Sequence, residues 1–414
     1  LGPGLPQGTI SLIAPTEEIS GRGTQRVIDG VTFEFIDAAG TEAPAEFMFY
    51  LPEKRALCTA EVVTATFHNL LTPRGAKVRD ALGWSRAIDY VLETYGDKAD
   101  VVFASHHWPT WGEENVDTLL EGQRDIYRYV HDQTLRNANA GATMTEAAEA
   151  VTEPAFESKP DAFNTRGYYG TLNHNAKAVY QYYFGWWGGV PAEYYELPHV
   201  VTAARYVEAM GGLDATLAVG AKAFEAGDYR WAAEVFNHAV FAEPESETAR
   251  NWLAATYEQL GFQAESGAWR SYFLVGASEL RNGIPSLGNP QLGNPEFLRA
   301  VKSIDLMDSL AARFNPAKMT AEPFAVNLVF PDSDEALTLH LGKSVLVPRE
   351  GSVEDAAVTL TMDRSVFDLV LLGRTTLPEQ LQSGAATVSG NPAMLQAFFG
   401  TLDRPDFWFP VVTP

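Results

Sequence analysis

The 414-residue chain is too long for one hydrophobic core, and its length predicts about two to four folding units; the patterning below marks out three. Hydrophobic residues make up 46% of it, yet no apolar run approaches the roughly 20 residues of a membrane helix, so no transmembrane segment is expected. A formal net charge of -23, from 30 basic and 53 acidic side chains, argues against nucleic acid as a partner, and Cys58 as the single cysteine excludes intrachain disulfides and Cys-rich metal sites.

Residues 1–140 alternate short β-like runs, "GVTFEFIDA", "AEFMFYLP" and "ADVVFASHH", with helical stretches such as "GWSRAIDYVLETYG", which predicts a layered α/β unit. Chemistry in such a unit is expected at the carboxyl ends of its strands. From 141 to 290 the pattern is helical, beginning at "TMTEAAEAV". Gly227 and Gly261 lie 34 residues apart, each read as following a helical run and preceding an aromatic-bearing turn, the period of a tetratricopeptide-like helix pair. "RNGIPSLGNPQLGNP", residues 281–295, reads as a linker. The last segment, 296–414, runs helix, then strands "FAVNLVF", "ALTLHL", "KSVLVPR" and "AAVTLTMD", then two helical stretches: an α+β unit with an antiparallel sheet. The opening "LGPGLPQGTI" has no initiator Met, basic stretch or apolar signal core, which predicts a removed segment or a fragment of a longer protein.

With one cysteine, a metal site must be built from histidine and carboxylate. In "FASHHWPTWG", His106 and His107 are adjacent on an extended segment, so only one of them can readily face a given site, and one core histidine beside one surface histidine is an equally open reading. Upstream, "GTEAPAEF" and "CTAEVVTATFHNLLTPRGAKVRD" place Glu42, Glu46, Glu61, His68, Asn69 and Arg74 at loop positions beside strands, the residue types of an oxygen-and-nitrogen metal site with an anion pocket. Lys77 and Arg79 read as solvated charges, and His174 as a hydrogen-bonded packing residue. The run "RGYYGTLNHNAKAVYQYYFGWWGG" is too aromatic for a solvated helix and belongs either to the core or to an interface. Leu369, Leu371, Leu372, Leu395, Phe398 and Phe399 recur at helical spacing, as core or as the wall of a ligand tunnel.

"GTEAPAE", "HNLLTPRGAKVRDALGWS", "FASHHWPTWG" and "TRGYYGTLNHNAKAVYQYYFGWW", in that order, resemble the alkyl sulfatases of the metallo-β-lactamase superfamily, which hydrolyse long-chain alkyl sulfate esters such as dodecyl sulfate. The resemblance implies three parts: the second half of a metallo-β-lactamase αββα domain at 1–140, a helical dimerisation domain with the tetratricopeptide-like pair at 141–290, and a sterol carrier protein 2-like domain at 296–414. It implies two zinc ions, with Glu42 a terminal ligand of one, Glu61 bridging both and His106 a ligand of the second. It also implies that Asn69 and Arg74 bind sulfate, that His68 assists the leaving group, and that two chains form a homodimer. His107 is left for packing or support. The family's His-x-His-x-Asp-His motif is nowhere in the 414 residues. The expectation is therefore a C-terminal part that binds zinc poorly alone and needs its N-terminal portion for activity, in a periplasmic or secreted protein. A non-catalytic dimeric module that binds alkyl chains, or a hydrolase of another class on the same fold, stays open as an alternative.

Overall fold

In the stretch VTFEFID the side chains alternate, so Phe33 and Phe35 lie on one face of a strand and Glu34 and Ile36 on the other. The computed structural model, which describes residues 13, 15–73, 75–154, 163–284, 294–404 and 406–414, builds this stretch into a six-stranded sheet. Its strands, in spatial order, are β1 (Arg22–Ile28), β2 (Val31–Asp37), β3 (Phe47–Leu51), β4 (Ala56–Cys58), β5 (Val101–Phe103) and β6 (Thr110–Trp111). Neighbours are antiparallel except β4 and β5, which run parallel. A parallel pair needs a long crossover, and residues 59–100 provide it, with α1 (Ala81–Tyr95) inside.

Helix α1 begins where the Asp80 carboxylate accepts the Leu82 N–H at 3.0 Å, and it turns Trp84, Ile88, Val91 and Tyr95 inward. α2 (Glu113–Asn139) carries Glu113 and Glu114 in its first turn, where the helix dipole favours acids, and buries Leu120, Ile126, Tyr127 and Val130. Both helices pack with Ile36, Met48, Leu57 and Val102 of the sheet in one core. That core runs past residue 140. Ala148 of α3 (Met144–Ala150) and Ala176, Ala178 and Val179 of α4 (Leu172–Phe184) belong to it, because short helices with a narrow apolar stripe need a larger neighbour to bury it.

The helical region then forms two hairpins, Leu213–Glu225 with Tyr229–Ala242 and Glu247–Gln263 with Gly267–Asn282, whose first helices start 34 positions apart. They share a core of Phe236, Leu253, Ala254 and Leu280. Gly227, at φ 78°, ends the first helix in the left-handed region as expected. Gly261 does not make a turn. It sits inside the Glu247–Gln263 helix, where a Cβ would come within 2.9 Å of Leu274, so the glycine serves close helix contact. Pro410–Pro414 belong to the same compact unit, Glu17–Gly283: the Val411 and Val412 amides donate to the Glu279 carboxylate at 2.7 and 3.2 Å.

The second compact unit covers Ile284–Phe409. Positions 285–293 of the expected linker lie outside the described residues. Its strands β7 (Phe324–Phe330), β8 (Glu335–Leu341), β9 (Leu346–Glu350), β10 (Val358–Met362) and β11 (Ala386–Gly390) lie in the order β11-β10-β7-β8-β9. The pairing is antiparallel except between β10 and β7, which run parallel, so the sheet is mixed where a fully antiparallel one was expected. Leu395 and Phe398 are buried in its core, with Leu371 and Phe399 packed against it, as ordinary core residues would be.

No helix among the described residues is long and apolar enough to cross a membrane.

Candidate functional site

Two loops leave the carboxyl ends of the parallel strands β4 and β5 side by side. The Thr59 N–H donates to the Phe103 carbonyl at 2.9 Å, and both the amide and the hydroxyl of Ser105 donate to the Ala60 carbonyl at 2.9 Å. This stitching brings Glu61 to His106, with Oε1 and Nε2 2.7 Å apart. Ala60 and His107 each adopt a positive φ, 48° and 69°, and such left-handed non-glycine residues are costly unless their surroundings hold them. His107 is held from outside the centre: its Nδ1 accepts the Ala65 N–H at 3.4 Å, and burial, with His106 nearby, pushes its pKa down. Of the adjacent pair, His106 faces the acid and His107 faces away.

The β2–β3 loop closes over the same sheet edge and carries Glu42 and Glu46. Glu42, Glu61 and His68 each offer a donor atom within 4.8 Å of one another, a group that can hold a metal ion. Glu46 stands beside them, and burial, with the charges of Glu42 and Glu61, raises its carboxyl above the ordinary range. Three carboxylates crowded at one edge call for positive charge.

Arg79 supplies part of it. Its Nη2 pairs with the Glu42 carboxylate, its Nε donates to the Glu42 carbonyl at 2.5 Å and its Nη1 to the Asn69 carbonyl at 2.6 Å. The expectation of a solvated Arg79 is therefore corrected: the loop from Leu70 folds back, the Arg79 N–H donating to the Leu70 carbonyl at 2.9 Å, and delivers the guanidinium to the site with 11% of its side chain exposed. Lys77 is exposed as expected.

His68 is buried, its ring edge-on to Tyr169 at 4.8 Å and tilted against Trp84 at 5.5 Å. Nδ1 lies 3.0 Å from the Asn69 carbonyl, which can only accept, so the proton sits on Nδ1 and the Nε2 lone pair looks toward Glu61 at 3.7 Å. Burial drives the ring's pKa down to about 4, and the positive charge of Arg79 adds to the fall, so the imidazole is neutral at physiological pH. Asn69 lines a hollow of about 60 Å³ with Pro73, His174, Trp269 and Tyr272. Arg74 lies outside the described residues. His174 Nε2 donates to the Leu71 carbonyl, 2.6 Å away, as a packing residue should. Trp84, whose indole N–H donates to the Val62 carbonyl at 2.7 Å, braces the loop behind Glu61.

The donor set fits a metal centre: carboxylate oxygens and imidazole nitrogens converge, and the lone pair of His68 points inward because its other nitrogen is engaged on a backbone carbonyl. Residues 143–283 match the family described as alkyl sulfatase dimerisation, and residues 291–414 the one described as alkyl sulfatase C-terminal. A linear primary-alkylsulfatase from Pseudomonas sp. is 31% identical over 98% of this chain and 78% of its own length. This chain belongs to the alkyl sulfatase family. Another linear primary-alkylsulfatase from Pseudomonas sp. is 45% identical over all of the chain, which spans 61% of that relative. Among solved structures, the stereoselective inverting sec-alkylsulfatase Pisa1 from Pseudomonas sp. superposes with a TM-score of 0.91 at 39% identity, covering 98% of this chain and 63% of that one. The family match begins at 143, where the packing is continuous with the residues before it.

Proposed function

We propose that this alkyl sulfatase chain forms the carboxylate side of a zinc-dependent centre that hydrolyses alkyl sulfate esters to alcohol and inorganic sulfate. The meeting of Glu42, Glu61, His68 and His106 at one sheet edge is the observation that carries this reading. Two zinc ions are proposed, Glu42 holding one, Glu61 both and His106 the second, with further ligands from a portion such as the relatives have beyond the length this chain spans. When bound, the ions supply Lewis acidity toward water and the ester. His68, neutral and with its tautomer fixed, can take up a proton at Nε2 and return it to the departing sulfate oxygen. Asn69 and Arg74 hold the sulfate, the planar guanidinium of Arg74 matching two of its oxygens. A non-catalytic alkyl-binding module gives no reason for three acids and two imidazoles to share one edge.

The uncovered side of the first sheet supports the finer reading of residues 1–140 as half of a metallo-β-lactamase αββα domain. Phe33, Phe35, Phe47, Phe49 and Phe103 form a continuous row of ring contacts outside the core cluster, and Phe47 is 44% exposed. Such a row suits a second sheet packed face to face. The five-stranded unit is read as sterol carrier protein 2-like.

Inorganic sulfate release from dodecyl sulfate by the natural protein, abolished by a chelator and restored by zinc, is the expected result; no release from zinc-loaded protein overturns the reading. His68→Gln should lower turnover by about 10²–10⁴, the usual share of acid–base catalysis, and leave zinc content unchanged. Loss of zinc in that variant would make His68 a ligand instead.

The homodimer is proposed on the helical region. Phe184, Trp186, Tyr194, Tyr195, Leu197 and Val200 are all at least 46% exposed, with Tyr195 at 95%, which is too much contiguous apolar surface for a free face. Light scattering at micromolar concentration should report two chains, and Trp186→Glu should shift the protein toward monomer.

A further inference from the structure

Asn175 is the fourth residue of α4, one turn in from the Thr171 cap, and wholly buried, where an asparagine is a poor helix former and its amide must find partners. Both ends of its amide are spent on the loop that carries His68. Nδ2 donates to the His68 carbonyl at 2.8 Å, and Oδ1 accepts the Leu70 N–H at 2.9 Å. The side chain thus pairs with the backbone on either side of Asn69 as an adjacent strand would, which fixes how the Asn69 peptide is turned. In that orientation the Asn69 carbonyl meets His68 Nδ1 at 3.0 Å and Arg79 Nη1 at 2.6 Å. The surroundings are built to the same end. A Cβ on Gly170 would overlap the His68 carbonyl, the Gly170 N–H donates to the Phe67 carbonyl at 2.8 Å, and the Tyr127 hydroxyl accepts the His68 N–H at 3.3 Å.

We propose that Asn175 is a positioning residue: acting through the Asn69 peptide, it sets the tautomer and the direction of the His68 imidazole at the carboxylate cluster. The inference rests on the reading of His68 as the proton-handling group, but its geometry is measurable without turnover. No residue of α4 needs to touch substrate for this. The helical region would hold the centre in shape by one amide.

Asn175→Asp keeps the volume and the acceptor for Leu70 and, at pH 8, replaces the donor with an oxygen facing the His68 carbonyl. The 414-residue protein labelled with ¹⁵N-histidine is followed by NMR, His68 being assigned from the resonances lost in His68→Gln. In the parent, His68 should be protonated at Nδ1; in Asn175→Asp it should shift to a tautomer mixture while the circular dichroism stays unchanged. In protein with sulfatase activity, kcat should fall about tenfold or more, as small misplacements of a reacting group do, with KM held within about twofold. Unchanged His68 resonances in folded Asn175→Asp overturn the proposal. Should that variant fail to fold, amide exchange in the parent decides: a Leu70 N–H protected like the core of α4 supports the clamp, and one exchanging at loop rates overturns it. A tautomer shift here, with no sulfate released by the zinc-loaded natural protein, leaves the clamp standing and removes the enzymatic reading.

Discussion

Glu61→Gln is expected to strip most of the bound zinc from the zinc-loaded protein and to reduce sulfate release by more than about 100-fold, the upper range for losing a mere supporting partner of a ligand. Glu61 lies between the imidazoles, 2.7 Å from His106 Nε2 and 3.7 Å from His68 Nε2, so its charge is the one both sides of the centre share. Glutamine keeps the length and one oxygen of the side chain while removing the negative charge that would separate two cations. The neighbouring acids do not compensate. Glu42 is already paired with Arg79, and burial raises the Glu46 carboxyl above its ordinary range, which disfavours its charged form. The test is metal stoichiometry by mass spectrometry beside sulfate release, with circular dichroism to show that the Glu61→Gln protein is folded. Full zinc content and an ordinary rate would remove Glu61 from the centre. An intermediate result, one zinc retained with no turnover, would place Glu61 on the second ion alone.

The long periodic elements were legible in the sequence, and so were the loops that bring Glu42, Glu61, His68 and His106 together. Alternation in VTFEFID and the apolar spacing of GWSRAIDYVLETYG each name a buried face, and β2 and α1 follow. β1, β4 and β6 were not legible: the first is an almost fully exposed polar edge strand, and the other two are three and two residues long, too short for any period to register. Alternation also foretold that His106 and His107 would part, but not which would turn inward, because that depends on the left-handed backbone at His107. Arg79 was misjudged for a different reason. A charged residue next to a helix cap ordinarily faces water, and only the return of the 70–79 loop to the sheet edge brings it to Glu42. Asn175 carried a faint signal, a helix-averse residue near the start of the LNHNAKAVYQYYF helix, yet its partner lies 107 positions away, a separation that no local pattern encodes.

Arg364→Met should cost the second unit about 3–5 kcal/mol of stability, because it leaves an acid buried without its partner. Arg364 and Asp368, one turn apart on the Arg364–Leu371 helix, are joined at 2.8 Å with side chains 6% and 0% exposed. The guanidinium also pairs with the Ser303 hydroxyl and donates to the Leu298 and Val301 carbonyls at 2.7 and 3.3 Å, so it holds two preceding segments as well as the acid. Burial already raises the Asp368 carboxyl above its ordinary range, and Arg364 opposes that rise. Without the arginine the folded-state pKa climbs further. A folded pKa above the unfolded one weakens the fold as pH rises from about 4, the ordinary carboxyl range, through the raised value, so the deficit of Arg364→Met should be small near pH 4 and largest at neutral pH. Urea unfolding at the two pH values checks both the size and the direction. The companion experiment separates breaking the pair from replacing it. Arg364→Met combined with Asp368→Leu removes both charges, and a buried pair exchanged for apolar side chains of similar volume is often neutral or stabilising. Recovery of most of the lost stability in the double variant means that the single change was destructive through the orphaned carboxyl. A double variant as unstable as Arg364→Met would instead assign the loss to the Ser303, Leu298 and Val301 contacts, and the ion pair itself would be incidental to the fold.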